Sequence, residues 1–224
     1  LHGMNRYQIH RGPDGQNTWM DDAIALGHTR LAIVDKAGGD QPLFGPTGEV
    51  LIANGEIYNH PVLRASQPHY PWTTNVDSEA ILALHTKAKQ SSSHGPLSPA
   101  DHAQWIKHLD GMYAFSLWDP QHQQLILSRD PLGIKPMVRT EVEGSLLFAS
   151  EVKALRAHES HIPVLDEVAL VARLAWEYPL DGTTLLKDVH HIRPGTVEVW
   201  HLVDGKPERS GTANVERQRL TPTT

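Results

Sequence analysis

LDGMYAFSLWD, residues 109–119, is the stretch that decides the fold. Its segment 112–118 is apolar at odd and even positions alike, so both faces of the strand need cover, whereas a half-solvated strand would alternate. Layers must lie above and below it. Further short strand candidates follow at 125–128, 137–141 and 146–149, with Asp119-Pro120 and Glu143-Gly144 as turns. Strands this closely spaced, joined by tight turns, predict an antiparallel sheet.

Working outward, residues 1–9 place Leu1, Met4 and Tyr7 at helical spacing, as if a helix were already under way, and 10–15 reads as a loop. Residues 23–35 are rich in Ile, Val and Leu without helical period, which predicts a strand pair or one bent strand. A strand at 49–53 should stop at Asn54-Gly55, a pair that readily takes positive φ. A helix capped by Asp77 or Ser78 should run to Lys89 with Ile81, Leu84 and Ala88 on one face, and 91–99 reads as an exposed loop. Ser98-Pro99-Ala100-Asp101 is a helix start with a cap, a proline at the first position and an acid facing the dipole, and it should run to about 109. Helices at 151–157 and 166–177 and a strand at 196–202 complete the pattern. The expectation is an α+β sandwich in one domain, 1–203, followed by a polar tail or linker, 204–224.

Composition narrows the function. The 224 residues carry a net charge of −6, which argues against a nucleic-acid scaffold with its basic stripe, and 39% are hydrophobic, enough for a sizeable core. No apolar run approaches the ~18 residues of a membrane span and the N-terminus has no signal-peptide pattern, so cytoplasm is the default expectation. Cysteine is absent, which removes disulfides, thiolate metal sites and thiol nucleophiles from the chain as it stands.

Four segments stand out as joint chemistry: HRGPDG (10–15), GHTRLAIVD (27–35), NGEIYN (54–59) and NVDSE (75–79). A strand arginine such as Arg30 can hold a carboxylate through two parallel hydrogen bonds, with backbone groups of the strand running to Val34 beside it. Asp77, at a helix start, can hold an α-ammonium group. Arg30 and Asp77 together would recognise an amino-acid head and leave its side chain to extend toward Asn54-Gly55. There the Asn54 side-chain amide and the Gly55 N–H can converge as an oxyanion hole, and Glu56 can accept from a carboxamide NH₂. The implied reaction is amide hydrolysis, with only a nucleophile lacking.

Each motif alone has a plainer reading: Asn-Gly as a turn, a strand arginine in a surface ion pair, an aspartate as a helix cap. Their joint occurrence and order are what count. The fifteen histidines form no H-E-x-x-H, and no G-x-x-x-x-G-K-[ST] loop is present, so neither a metal nor ATP is expected on this chain.

Together with LDGMYAFSLWD (109–119), RDPLGIKP (129–136) and FASEVKAL (148–155), these segments resemble the glutaminase domain of glutamine-hydrolysing asparagine synthetases, in order from about residue 1 to 200. The resemblance implies an N-terminal-nucleophile hydrolase fold, a four-layer αββα sandwich of two mostly antiparallel sheets. It implies that Arg30, Leu31, Ala32, Ile33 and Val34 line a glutamine pocket, that Asn54 and Gly55 form the oxyanion hole, that Glu56 contacts the carboxamide and that Asp77 holds the amino group. Glutamine and a C-terminal synthetase domain of the same protein are the implied partners, with a homodimer left open. ATP and magnesium belong to that other domain.

The resemblance also implies a cysteine at position one of the mature chain, whose own α-amine takes the proton. Here residue 1 is Leu, and 1–9 contains no Cys, Ser or Thr, so this chain is expected not to hydrolyse glutamine. Truncation is the favoured reason, because the five pocket residues are in place. The alternatives are a scaffold domain of a related amide-forming synthetase and a different class II amidotransferase.

Overall fold

The computed structural model describes residues 1–32, 39–92, 95–177 and 182–216. The elements run β1 (Gly15–Met20), β2 (Ala25–Arg30), β3 (Leu43–Phe44), β4 (Val50–Ile57), β5 (Gly111–Asp119), β6 (Gln124–Arg129), β7 (Val138–Val142), β8 (Ser145–Ala149), β9 (His190–His191), β10 (Thr196–Val203) and β11 (Lys206–Asn214). The helices are α1 (His2–Gln8), α2 (His60–Ala65), α3 (Glu79–Ser91), α4 (Pro99–Ile106), α5 (Val152–Leu155) and α6 (Glu167–Trp176).

As 109–119 demands, β5 lies inside a six-stranded antiparallel sheet of order β11-β10-β6-β5-β4-β3, covered on both faces. Its odd residues Tyr113, Phe115 and Leu117 pack with Ile81, Leu82 and Ile106 of α3 and α4. Its even residues Ala114 and Trp118 pack with Leu26 of β2, Met137 and Phe148 on the other side. A third cluster joins Val138 and Ala149 of β7 and β8 to Ala154 and Leu155 of α5, with Met4 of α1 against it. The order of layers is therefore helix, sheet, sheet, helix, the expected αββα sandwich. Fully buried side chains such as Phe115, Leu117 and Ile81 each stabilise it by about 1.5–3 kcal/mol. Arg139 of β7 reaches Glu198 of β10 at 2.7 Å and ties the two sheet layers together through a buried ion pair.

The second sheet layer is divided. It consists of a β1-β2 hairpin and a separate sheet of order β8-β7-β9. Among the described strands β2 pairs only with β1 and β8 only with β7, so a cleft rather than a ladder lies between them.

Several sequence expectations need correction. The β4 strand does not stop at Asn54-Gly55: it continues to Ile57, each residue in register with β5, because pairing with a fully buried strand outweighs the local turn preference. Gly55 is required there for another reason, since a Cβ would meet Met112 O at 2.1 Å. Residues 206–214, read as tail, form edge strand β11 against β10, with a register shift between Val199 and Trp200. Strand β1, helix α2 and the two-residue strands β3 and β9 were not foreseen. The α4 start is as expected: Ser98 accepts from the Asp101 N–H while Asp101 accepts from that of Ser98. Helix α6 buries only Ala169. Among the described residues no helix is long and apolar enough to cross a membrane.

Candidate functional site

Period-two alternation decides which β4 groups face the cleft. Leu51, Ala53 and Ile57 point at the helix layer and Val50 and Ile52 into the space between the sheets, so Asn54 and Glu56 continue the second series. They open on a cleft of about 560 Å³ bounded by β2 on one side and residues 146–150 on the other. Arg30, Leu31, Asn54, Gly55, Glu56 and Asp77 all line it. Ala32 does not line it, and its N–H is held by Asp14 at 2.8 Å. Ile33 and Val34 lie outside the described residues.

The same alternation orders the backbone along the outer edge of β4. Glu49 O accepts from Gly45 N–H, Ala53 exchanges two bonds with the Gln41 side chain, and Ile57 N–H donates to Asp77 Oδ2. Tyr58 N–H points the opposite way, to Asp110 O. Residues 49, 53 and 57 thus point outward, and so does Gly55 N–H between them. Asn54 Nδ2, next to it, is buried without a hydrogen-bond partner among the described residues. Two donors therefore meet the cleft side by side, one of them a buried orphan. An unpaired buried donor costs roughly 1–3 kcal/mol, which a ligand oxygen would recover.

Arg30 closes β2, and HRGPDG explains how. Gly12 lies so close to this strand that a Cβ would meet Thr29 C and O at 2.3 Å, and Asp14 N–H donates to Arg30 O at 3.0 Å. The motif is a backbone buttress for the arginine. The Arg30 side chain, 11% exposed, pairs with Asp40, 73% exposed, at 2.9 Å. NVDSE works in a similar way: buried Glu79 accepts from the N–H and hydroxyl groups of Thr73 and Thr74, shaping the loop that presents Asp77. Asp77 is 5% exposed and lines the cleft.

At the rim, Glu151 gathers Arg11 at 3.0 Å, His10 at 3.1 Å and Lys153 at 2.9 Å. Burial raises its pKa, but the bonds from Lys153, Arg11 and His10 outweigh that and hold it at about 2. Among the residues that line the cleft, sequence reasoning did not single out Gln41 or His28. Burial lowers the His28 pKa to about 4, against a hydrogen bond to the Ala53 backbone that raises it, so its ring is neutral at ordinary pH. GHTRLAIVD contained His28 as a signal, whereas nothing in the local sequence marked Gln41.

Comparison with known proteins shows the family. The family model of the glutamine amidotransferase domain matches residues 1–209. Asparagine synthetase B [glutamine-hydrolyzing] of Escherichia coli is 39% identical over 97% of this chain and 35% of its own length. Asparagine synthetase [glutamine-hydrolyzing] 1 of Bacillus subtilis is 32% identical over 86% and 29%, and the amidase chry2 of Gibberella zeae 34% over 83% and 26%. The chain thus spans about a third or less of these relatives. Among solved structures, the glutamine phosphoribosylpyrophosphate amidotransferase of B. subtilis superposes with a TM-score of 0.58 at 19% identity, over 87% of this chain and 35% of that one, a likeness of fold. On its sequence, layers and matched length, this chain belongs to the glutamine amidotransferase domain family.

Proposed function

We propose that this domain grips free glutamine in the cleft between β2 and β8. Arg30 takes the α-carboxylate, Asp77 Oδ1 the α-ammonium group, Asn54 Nδ2 and Gly55 N–H the carboxamide oxygen, and Glu56 the carboxamide NH₂. The observation that carries this reading is the buried, unpartnered Asn54 Nδ2 beside the outward Gly55 N–H. Donors preset at the position of a developing oxyanion typically contribute 10²–10³ each in rate.

In the whole enzyme a cysteine preceding Leu1 supplies the nucleophile. Leu1 itself lines the cleft, so a preceding segment would enter between the unpaired edges of β2 and β8 and join the two halves of the second sheet layer. The thiolate attacks the amide carbon, the oxyanion settles on Asn54 and Gly55, and the α-amine of the cysteine passes its proton to the departing ammonia. That ammonia serves ATP-dependent amidation of aspartate on a separate synthetase domain, the reading favoured by the likeness to asparagine synthetases. By itself this chain, with no cysteine, does not hydrolyse glutamine.

Extending the chain upstream of Leu1 with a segment that begins Met-Cys-Gly tests the assignment. Ammonia release from glutamine is expected after removal of the methionine, and none from the unextended chain. Release by the unextended chain would refute the thiol assignment, and glutamine binding without release by the extended chain would favour a scaffold role.

A further inference from the structure

Beyond the groups that meet glutamine, one buried side chain fixes the strand on which the amide-binding donors stand. Pairing of β3 with β4 covers only Leu51 and Val50, so among the described residues the next outward-facing peptide groups on that edge, those of Ala53, have no strand paired to them. The Gln41 side chain takes the place of the absent strand. Its Oε1 accepts from Ala53 N–H at 2.6 Å and its Nε2 donates to Ala53 O at 3.0 Å. Gln41 is 8% exposed and lines the cleft. A primary amide is the smallest side-chain group that can both donate and accept as a peptide unit does.

We infer that Gln41 is a positioning residue that locks the Ala53 peptide and thereby aims the Asn54 side-chain amide and the Gly55 N–H at the ligand's carboxamide oxygen. The inference rests on the glutamine-binding reading above. Asn54 follows Ala53 directly, so any rotation of the Ala53–Asn54 peptide swings the Asn54 Cα–Cβ direction and the next outward N–H together. Water in place of Gln41 would satisfy the same two groups without fixing their angle. The head-group contacts at Arg30 and Asp77 stand on other segments and do not depend on this lock.

Calorimetric titration of the whole chain with L-glutamine and with L-norvaline separates the two halves of the pocket, because norvaline has the same head and carbon chain but no carboxamide. Gln41→Met, which keeps length and loses both bonds, is expected to weaken glutamine about tenfold and norvaline less than twofold. Should that variant fail to fold, Gln41→Glu, which still accepts from Ala53 N–H, is judged by the same criterion. Unchanged glutamine affinity, or an equal loss for both amino acids, overturns the inference and makes Gln41 a structural residue only. A wild-type chain that binds neither amino acid brings down the pocket reading itself, and this inference with it.

Discussion

Asp77 Oδ2 accepts a hydrogen bond from the Ile57 backbone N–H at 2.5 Å, which pins the start of α3 to the edge of β4 two residues beyond Gly55. One carboxylate oxygen is thus spent on architecture, in a residue that lines the cleft. Asp77→Asn can keep the structural bond through its side-chain oxygen but loses the charge. We expect its melting temperature to stay within a few degrees of wild type while glutamine affinity falls tenfold or more. Equal losses of stability and affinity would make Asp77 a structural residue alone.

Arg30 meets Asp40, which is largely in solvent. An exposed pair of this kind is worth only ~0–1 kcal/mol, so a substrate carboxylate can compete for the guanidinium. Asp40→Asn should therefore tighten glutamine binding by up to about fivefold. Weaker binding would show that Asp40 helps to orient Arg30 for the ligand.

Behind the sheet, Lys89 bridges two buried carboxylates, Glu49 at 2.8 Å and Asp119 at 3.0 Å. Burial raises both pKa values, yet the bonds from Lys89, with Thr47 at Glu49 and His122 at Asp119, outweigh it and leave both lowered. Lys89→Met strands two acids in the interior. Removing one member of such a cluster typically costs about 3–5 kcal/mol, and urea denaturation should find a loss of that size. A loss below about 1 kcal/mol would mean that water reaches the cluster.

The α3–α4 interface is expected to make the fold acid-labile. His85 and His102 stack with centroids 5.7 Å apart, and burial lowers their pKa values to about 3 and about 4. Trp105 donates to His102 Nδ1 and Gln124 Oε1 pairs with its Nε2, while both His85 nitrogens are buried without a partner among the described residues. Glu49, Lys89 and Asp119 also face His85 through space. Unfolded histidine binds its proton near pH 6.5, so between 6.5 and about 4 the unfolded state holds more protons and stability falls with pH. Above 6.5 these two rings contribute no slope. His85→Leu, which removes two orphan nitrogens, should raise stability at pH 7 and flatten the slope between pH 6.5 and 5. An unchanged slope would assign the acid sensitivity elsewhere.

How much of this was legible in sequence follows from where each signal came from. Strand β5 announced both its burial and its neighbours, because apolar residues on both faces leave no other option. Strand β11 did not, since an edge strand such as KPERSGTAN owes its conformation to β10 and buries little of its own. Strand β1 failed for a related reason: GQNTWM is polar and half-exposed and gains its order from pairing with β2. Asn54-Gly55 was singled out for its chemistry and misplaced as structure, because turn preference is a local signal and its register with Ala114 and Tyr113 is not. Arg30, Glu56 and Asp77, singled out through their motifs, line one cleft. Gln41 escaped because its role depends on β3 ending before Ala53, a fact of three dimensions with no local trace.

The grip on free glutamine is tested most directly by titrating L-glutamine into the unextended chain and into Arg30→Ala, with heat as the readout. Saturable one-to-one binding is expected of the wild type, and at least a hundredfold weaker binding of the variant. Wild-type chain that takes up no glutamine, or a variant that binds it equally well, would contradict the account.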